Sequence, residues 1–276
     1  MPSQRVILGI DAAWTATEPS GVALIRSDGS SWEAVAVAPS YESFVALGRR
    51  EPVDWGRRPV GSWPEMGEVT SAACTIAEVA SLDVIAVDMP MSRERFSGRR
   101  TADREISRAF GGQGCSTHSP NASRPGRLGS DLTSRLAERG FPLATADPDS
   151  RGLPCAIEVY PHPALLSLLA VDYRVPYKVS RSSRYWKRTS VSERIEKLLA
   201  QFERIYSALT NEFGVLPVAL PEPGEATSLA SLKRYEDALD ALICAWVGAR
   251  FSAGAAESYG DESAAVWVPT ARTRDS

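Results

Sequence analysis

Two apolar segments of the sequence each end on an aspartate. Residues 6–10 are followed by Asp11, and residues 84–87 are followed by Asp88. Both segments are short and rich in Val and Ile, which predicts strands that are covered on both faces of a sheet. An ionised side chain in such a place has few groups to stabilise it. We therefore expect the two aspartates to share one charged site.

Three further acids lie in or beside apolar segments. Glu158 lies within residues 156–161, and Asp240 lies within the apolar residues 238–246. The second segment has apolar residues at helical spacing, so we expect Asp240 at the flank of a helix that docks on the sheet. Asp237 precedes Asp240 by three positions and therefore lies on the same helix face.

Carboxylates that converge in an apolar site need cations, because like charges at close range oppose joint ionisation. Oxygen ligands favour Mg²⁺ or Mn²⁺. Two such ions about 3.5–4 Å apart can activate a water and hold the phosphate during phosphodiester hydrolysis. The predicted metal ligands are Asp11, Asp88, Glu158, Asp237 and Asp240, of which Asp11, Asp88 and Asp240 are the predicted catalytic residues.

Each acid also has a structural interpretation. Asp11 and Asp88 both precede residues that favour a turn, and an aspartate side chain commonly orders a turn. The other acids could be neutralised by a basic partner. The candidate pairs are Asp237 with Lys233, Asp240 with Arg234 or Arg250, and Glu158 with Lys178.

Residues 173–188 combine six basic residues with Tyr and Trp. Basic groups neutralise phosphates, and aromatic rings stack on unpaired bases. A second basic run over residues 93–108 follows Asp88, although Asp103 and Glu105 could pair with several of its arginines. A solvated loop that is anchored by its aromatic rings is the alternative for the first run. The predicted substrate-binding residues are Arg100, Lys178, Arg181, Arg184, Tyr185 and Trp186.

The remaining motifs are weaker. His118 and His162 are the only histidines, which disfavours a histidine-rich metal site. His162 lies between two prolines and could orient a ligand, although a role in fixing a turn is favoured. Residues 111–114 form a Gly-rich loop without the Lys-Ser/Thr of a phosphate-binding loop.

Bulk composition excludes several classes of protein. The net charge of −3 over 276 residues gives no overall attraction to nucleic acid or membranes, so any polyanion site must be local. The four cysteines form no Cys-x-x-Cys pair, which indicates reduced thiols and a cytoplasmic protein. No apolar stretch approaches the roughly 18 residues of a membrane span. We expect one domain over residues 1–276.

The pattern of elements predicts an α/β fold. An Asp-Gly turn at residues 28–29 joins two strands that form an antiparallel meander with the first strand. The segment 91–154 is predicted to be an insertion above the sheet edge. Residues 265–268 could add an edge strand. The predicted helices cover residues 41–47, 65–80, 101–110, 130–139, 190–213 with a capping box at its start, and 229–251.

Several short motifs, taken in order, resemble a family catalogued as domain of unknown function 429 and described as a predicted nuclease. The resemblance extends from Val6 to about Pro269. The motifs are Gly9-Ile10-Asp11, Val87-Asp88-Met89-Pro90, Arg100-x-x-Asp103, Glu158-Val159-Tyr160-Pro161-His162-Pro163 and Asp237-x-x-Asp240-Ala241-Leu242.

The resemblance implies a ribonuclease H-like mixed sheet, with strands 1–3 antiparallel, later strands parallel, and helices on both faces. In that wider group the catalytic acids lie on strand one, strand four and the last helix. Those positions match Asp11, Asp88 and the pair Asp237 and Asp240. The chain departs from resolvase-type members at Asp88, where many carry the longer Glu.

The function predicted from these features is a metal-dependent nuclease, a hydrolase that cleaves nucleic acid by the two-metal-ion route. One alternative is a non-catalytic module that binds nucleic acid or protein on the same fold. Another is a phosphotransferase related to actin and sugar kinases, whose sheets also open with Gly-Ile-Asp, although the chain is short for two such lobes.

Overall fold

The computed structural model describes residues 4–63, 65–96, 98–121, 123–222, 224–226 and 228–270. Seven strands form one sheet. They are β1 (Arg5–Asp11), β2 (Gly21–Ser27), β3 (Trp32–Ala38), β4 (Val84–Val87), β5 (Cys155–Val159), β6 (Ala256–Gly260) and β7 (Ala265–Pro269). The helices are α1 (Tyr41–Gly48), α2 (Met66–Ala77), α3 (Thr101–Phe110), α4 (Leu128–Glu138), α5 (Pro161–Leu169), α6 (Ser182–Tyr185), α7 (Val191–Phe213) and α8 (Leu229–Ser252).

The order of the strands is β3-β2-β1-β4-β5-β7-β6. Strands β1 to β3 are antiparallel, whereas β1, β4, β5 and β7 run parallel to one another. The predicted hairpin turn joins β2 to β3, where the Asp28 carboxylate accepts hydrogen bonds from the backbone N–H groups of Ser30 and Ser31. The predicted α/β fold class, a mixed sheet of ribonuclease H-like order, is confirmed.

Alternation along the strands places apolar side chains in a core on each face of the sheet. Ile7 of β1 and Val84 of β4 face α5, α7 and α8. Their neighbours Leu8 and Ile85 face α1, α2 and α4. Helices therefore cover both faces, which explains why β1 and β4 read as continuous apolar runs.

Local sequence signals fix several helix ends. At the start of α7, Ser190 Oγ accepts from the backbone N–H of Glu193, and the Glu193 carboxylate accepts from the backbone N–H of Ser190, as the predicted capping box requires. Helix α2 ends at Ala77, earlier than predicted, because Glu78 adopts a left-handed backbone with φ 56°. None of the helices in the described ranges is long and apolar enough to cross a membrane.

The predicted edge strand at residues 265–268 occupies a different place. Strand β7 lies inside the sheet between β5 and β6, and Trp267 is buried. Strand β6 takes the edge, and its sequence Ala-Glu-Ser-Tyr-Gly gave no strand prediction because its side chains are half-exposed or exposed. The single domain predicted over residues 1–276 extends at both ends beyond the described residues.

Helix α8 packs against the sheet at two glycines. A Cβ atom at Gly9 would lie 2.1 Å from the carbonyl oxygen of Ala241, and one at Gly21 would lie 2.1 Å from that of Asp237. The backbones therefore meet with no side chain between them. This close approach brings the acids of α8 to the ends of β1 and β2.

We expect Gly9→Ala to lower the free energy of unfolding by at least about 1–3 kcal/mol, because the added methyl group must push α8 away from β1. Urea unfolding followed by circular dichroism measures this loss. Gly152→Ala is the matched control, since a Cβ there meets nothing within 4 Å. Equal stability of the two variants would contradict the close packing.

Candidate functional site

Asp11 and Asp88 lie side by side at the ends of β1 and β4. The strands are parallel and in register through Ile10 and Val87, and the N–H of Asp88 donates to the carbonyl of Ile10 at 2.8 Å. Alternation places both carboxylates on the face that α8 covers. Within the described residues neither carboxylate accepts a hydrogen bond. The structure thus places these two predicted site residues next to each other.

Burial raises the pKa of Asp88 well above its ordinary value, and the negative charge of Asp11 raises it further. Lys178 opposes this shift. The ionised form of Asp88 is therefore short of positive charge, which makes the end of β4 a favourable place for a cation.

Asp240 on α8 is fully buried and already has partners. Its carboxylate accepts a hydrogen bond from the Tyr177 hydroxyl at 2.6 Å and forms an ion pair with Lys178. Burial raises the pKa of Asp240 to about 6, although the charge of Lys178 opposes the shift. Desolvation disfavours the ammonium form of Lys178, but the surrounding acidic groups, of which Asp240 has the largest effect, together raise the Lys178 pKa.

Asp237 pairs with Lys233 one helical turn away, as the structural interpretation proposed. The second oxygen of Asp237, Oδ2, is buried and has no hydrogen-bond partner in the described parts of the chain. Burial raises the pKa of Asp237 well above its ordinary value, Lys233 opposes this, and the charge of Asp11 adds to it. Asp237 thus keeps one oxygen that a further cation could use.

Glu236 belongs to the same cluster and was not found from the sequence. It is buried, and its Oε2 accepts a hydrogen bond from the backbone N–H of Val179 at 2.5 Å. Its Oε1 lies 3.4 Å from Nζ of Lys178 and 3.1 Å from Nζ of Lys233. Its spacing of four residues from Asp240 was the available signal. The acid cluster, Asp11, Asp88, Glu236, Asp237 and Asp240, therefore contains five carboxylates around two ammonium groups.

Glu158 lies on the opposite face of the sheet. It pairs in register with Val87, so its side chain points away from α8. Its two oxygens accept from the Arg100 guanidinium at 2.6 Å each, and one also accepts from the N–H of Met91 at 2.8 Å. Arg100 is only 8% exposed and pairs with Asp103 at 2.9 Å as well. Neither Glu158 nor Arg100 joins the acid cluster.

A cleft of about 630 Å³ opens onto the acid cluster. Of the predicted substrate-binding residues, Lys178 and Arg181 line it. The lining does not include Arg184, Tyr185 or Trp186. Trp186 packs instead against the core between the sheet and α5, α7 and α8. The anchored-loop interpretation describes Trp186 better. The other polar or aromatic lining residues include Trp14, His118, Asn121, Arg124, Tyr160, His162, Arg174 and Lys233.

No three His, Cys, Asp or Glu side chains are placed to hold a metal ion together in the part of the chain that the structure describes. The contacts explain this, because Lys178 and Lys233 hold two of the predicted ligands and Glu158 faces the other way. The predicted five-residue ligand set is thus brought together only in part, at Asp11, Asp88, Asp237 and Asp240.

The family described as protein of unknown function, DUF429, matches residues 9–265 of the chain. The chain belongs to this family. No curated protein and no solved structure matches it.

We expect Lys178→Met to lower the free energy of unfolding by about 3–5 kcal/mol near pH 8, because it leaves Asp240 charged and unpaired in the core. The loss should shrink near pH 5. Without Lys178 the Asp240 pKa rises further, so the folded state takes up a proton that the unfolded state lacks.

Urea unfolding of this variant at both pH values, in EDTA, measures the effect. The exposed Lys197→Met is the control and should change stability little at either pH. A loss for Lys178→Met that is the same at both pH values would refute the role of Asp240 as the buried partner.

Proposed function

We propose that this protein is a metal-dependent nuclease that hydrolyses phosphodiester bonds of nucleic acid, with Asp11 and Asp88 as its central acids. The observation that carries the proposal is a pair of carboxylates that have no hydrogen-bond partner among the described residues. They lie at the ends of two adjacent parallel strands, in a cleft that also contains lysines and arginines. Acids alone would repel a phosphate. A cation on the acids and basic groups beside them together suit a phosphodiester.

The chemistry of the donors suits Mg²⁺ or Mn²⁺, and three of the described acids would have to move closer together to share one ion. Asp11, Asp88 and the unpartnered Oδ2 of Asp237 offer carboxylate oxygens, and the acid cluster has an excess of negative charge. When bound, such an ion supplies neutralising charge and an activated water. The protein's own part is to keep these oxygens in a partly buried cleft, where electrostatic interactions are strong.

A second ion would require Asp240 to exchange Lys178 for the metal. Lys178 lines the cleft, so its released ammonium group could then contact a phosphate oxygen of the substrate. Lys233 also lines the cleft and forms an ion pair with Asp237. The two lysines thus hold the buried acids before metal and substrate bind, and their charge remains useful afterwards.

A non-catalytic module that binds nucleic acid is the second candidate. The ion pairs of Asp237 and Asp240 favour it, since these lysines already supply positive charge to two of the acids that a two-ion nuclease needs. In that case the cleft would bind a strand and leave it intact.

We expect Asp11→Asn and Asp88→Asn each to reduce Mn²⁺-dependent cleavage by roughly 100-fold or more, because each change removes a charged metal ligand. Cleavage of single-stranded, duplex and branched oligonucleotides in Mg²⁺, Mn²⁺ or EDTA measures this. The exposed Asp172→Asn is the control and should cleave like the unmodified protein. Unchanged cleavage by the Asp11 variant would reject the site, and binding without any cleavage would favour the second candidate.

Thermal unfolding tests the metal site without turnover. Mn²⁺ should raise the Tm of the unmodified protein and of Asp172→Asn but not that of Asp88→Asn. In EDTA near pH 8, Asp88→Asn should melt at or above the unmodified protein. The raised pKa of Asp88 means that its ionisation costs stability as pH rises, and asparagine avoids this cost. A Mn²⁺ shift that persists in Asp88→Asn would remove Asp88 from the ligand set.

A further inference from the structure

One wall of the cleft contains two pairs of arginine and histidine. The Arg174 guanidinium donates to Nε2 of His162, and the Arg181 guanidinium donates to Nε2 of His118 at 2.5 Å. All four residues line the cleft. They were not grouped by the sequence, because the members of each pair are 12 and 63 residues apart.

The partner of each arginine is neutral. A guanidinium can only donate, so Nε2 of each histidine must accept and carry no proton. Desolvation lowers the pKa of both histidines, and the arginines lower it further. In the described part of the chain, the ion pairs with carboxylates involve other basic residues than Arg174 and Arg181. Both guanidinium groups are therefore positioned while their positive charge is retained.

The wall has an unused donor. Since Nε2 of His162 accepts, the proton of the neutral ring is on Nδ1. His162 is only 4% exposed, and its Nδ1 has no hydrogen-bond partner among the residues that the structure describes. A buried N–H without an acceptor is costly, so the fold tolerates a strained arrangement of polar groups beside Arg174.

The Gly-rich loop, residues 111–114, holds Arg174 in this wall. The backbone N–H of Arg174 donates to the carbonyl of Gln113 at 2.9 Å, and its guanidinium donates to the carbonyl of Gly114 at 3.3 Å. Gly114 has φ 80°, and a Cβ there would lie 2.9 Å from the Tyr173 ring. The loop thus fixes Arg174 from one side while His162 fixes it from the other.

We propose that the Arg174–His162 and Arg181–His118 wall is a subsite for a non-reacting phosphate of a single-stranded nucleic acid, beside the acid cluster. Fixed guanidinium groups with full charge match phosphate oxygens. Trp14 and Tyr160 also line the cleft and offer aromatic surface for an unpaired base. This inference rests on the proposed function and adds its substrate class.

Strand binding in EDTA tests the subsite without metal or cleavage. A fluorescein-labelled short single-stranded oligonucleotide is titrated with protein at several salt concentrations, and anisotropy reports binding. Arg181→Met should weaken binding roughly tenfold at low salt and lower the slope of log K against log salt by about 0.7. The exposed Arg204→Met on α7 is the control and should match the unmodified protein.

Substitutions of His118 test whether a neutral partner matters. His118→Gln keeps an uncharged acceptor and should bind like the unmodified protein, whereas His118→Glu neutralises Arg181 and should weaken binding about as much as Arg181→Met. His118 is exposed, so both variants should fold, which circular dichroism checks. Ser183→Glu adds the same charge at an exposed position outside the cleft lining and should have little effect.

The subsite is overturned if the unmodified protein does not bind the strand, if duplex binds more tightly, or if Arg181→Met and His118→Glu bind with unchanged affinity and salt slope. These binding results can be distinguished from the results of the cleavage test of the nuclease proposal. If binding depends on Arg181 but no metal supports cleavage, the subsite proposal stands and the nuclease proposal fails. Mn²⁺-dependent cleavage, together with strand binding that the Arg181 and His118 substitutions do not change, would support the nuclease and exclude the subsite.

Discussion

The direct contact of α8 with β1 and β2 determines where the acids of this protein lie. Because Gly9 and Gly21 have no side chains, the helix backbone rests on the sheet, with the carbonyl groups of Ala241 and Asp237 at the contact. Asp237 and Asp240 are then held beside Asp11 at a depth where water cannot stabilise them. The charges of these two acids have to be balanced by another group of the protein or by a ligand.

The structure balances this charge incompletely. Two lysines serve five carboxylates, and the acids at the strand ends have the weakest support. Burying ionised groups in this way is a poor means of stabilising a fold, since apolar residues would serve better. The desolvation cost of buried charges is typical of functional sites. In the proposed nuclease these charges would bind metal ions and phosphate.

Two arginines of the cleft are held differently from the buried Arg100. Arg100 is locked between Glu158 and Asp103, which neutralise it and tie the segment after β4 to α3 and β5. Arg174 and Arg181 are held by neutral histidines instead. The first arrangement is suited to building the fold, whereas the second leaves charge available for a ligand.

The sequence alone determined the fold class, the placement of Asp11 and Asp88, and most helix ends, because periodicity, turns and caps are local signals. Only the tertiary structure decided which acids meet. Alternation placed Glu158 on the far face of β5, and Lys178 reached Asp240 from 62 residues away. Such pairings depend on strand order and helix docking, which bring together residues whose separation along the chain carries no signal of contact.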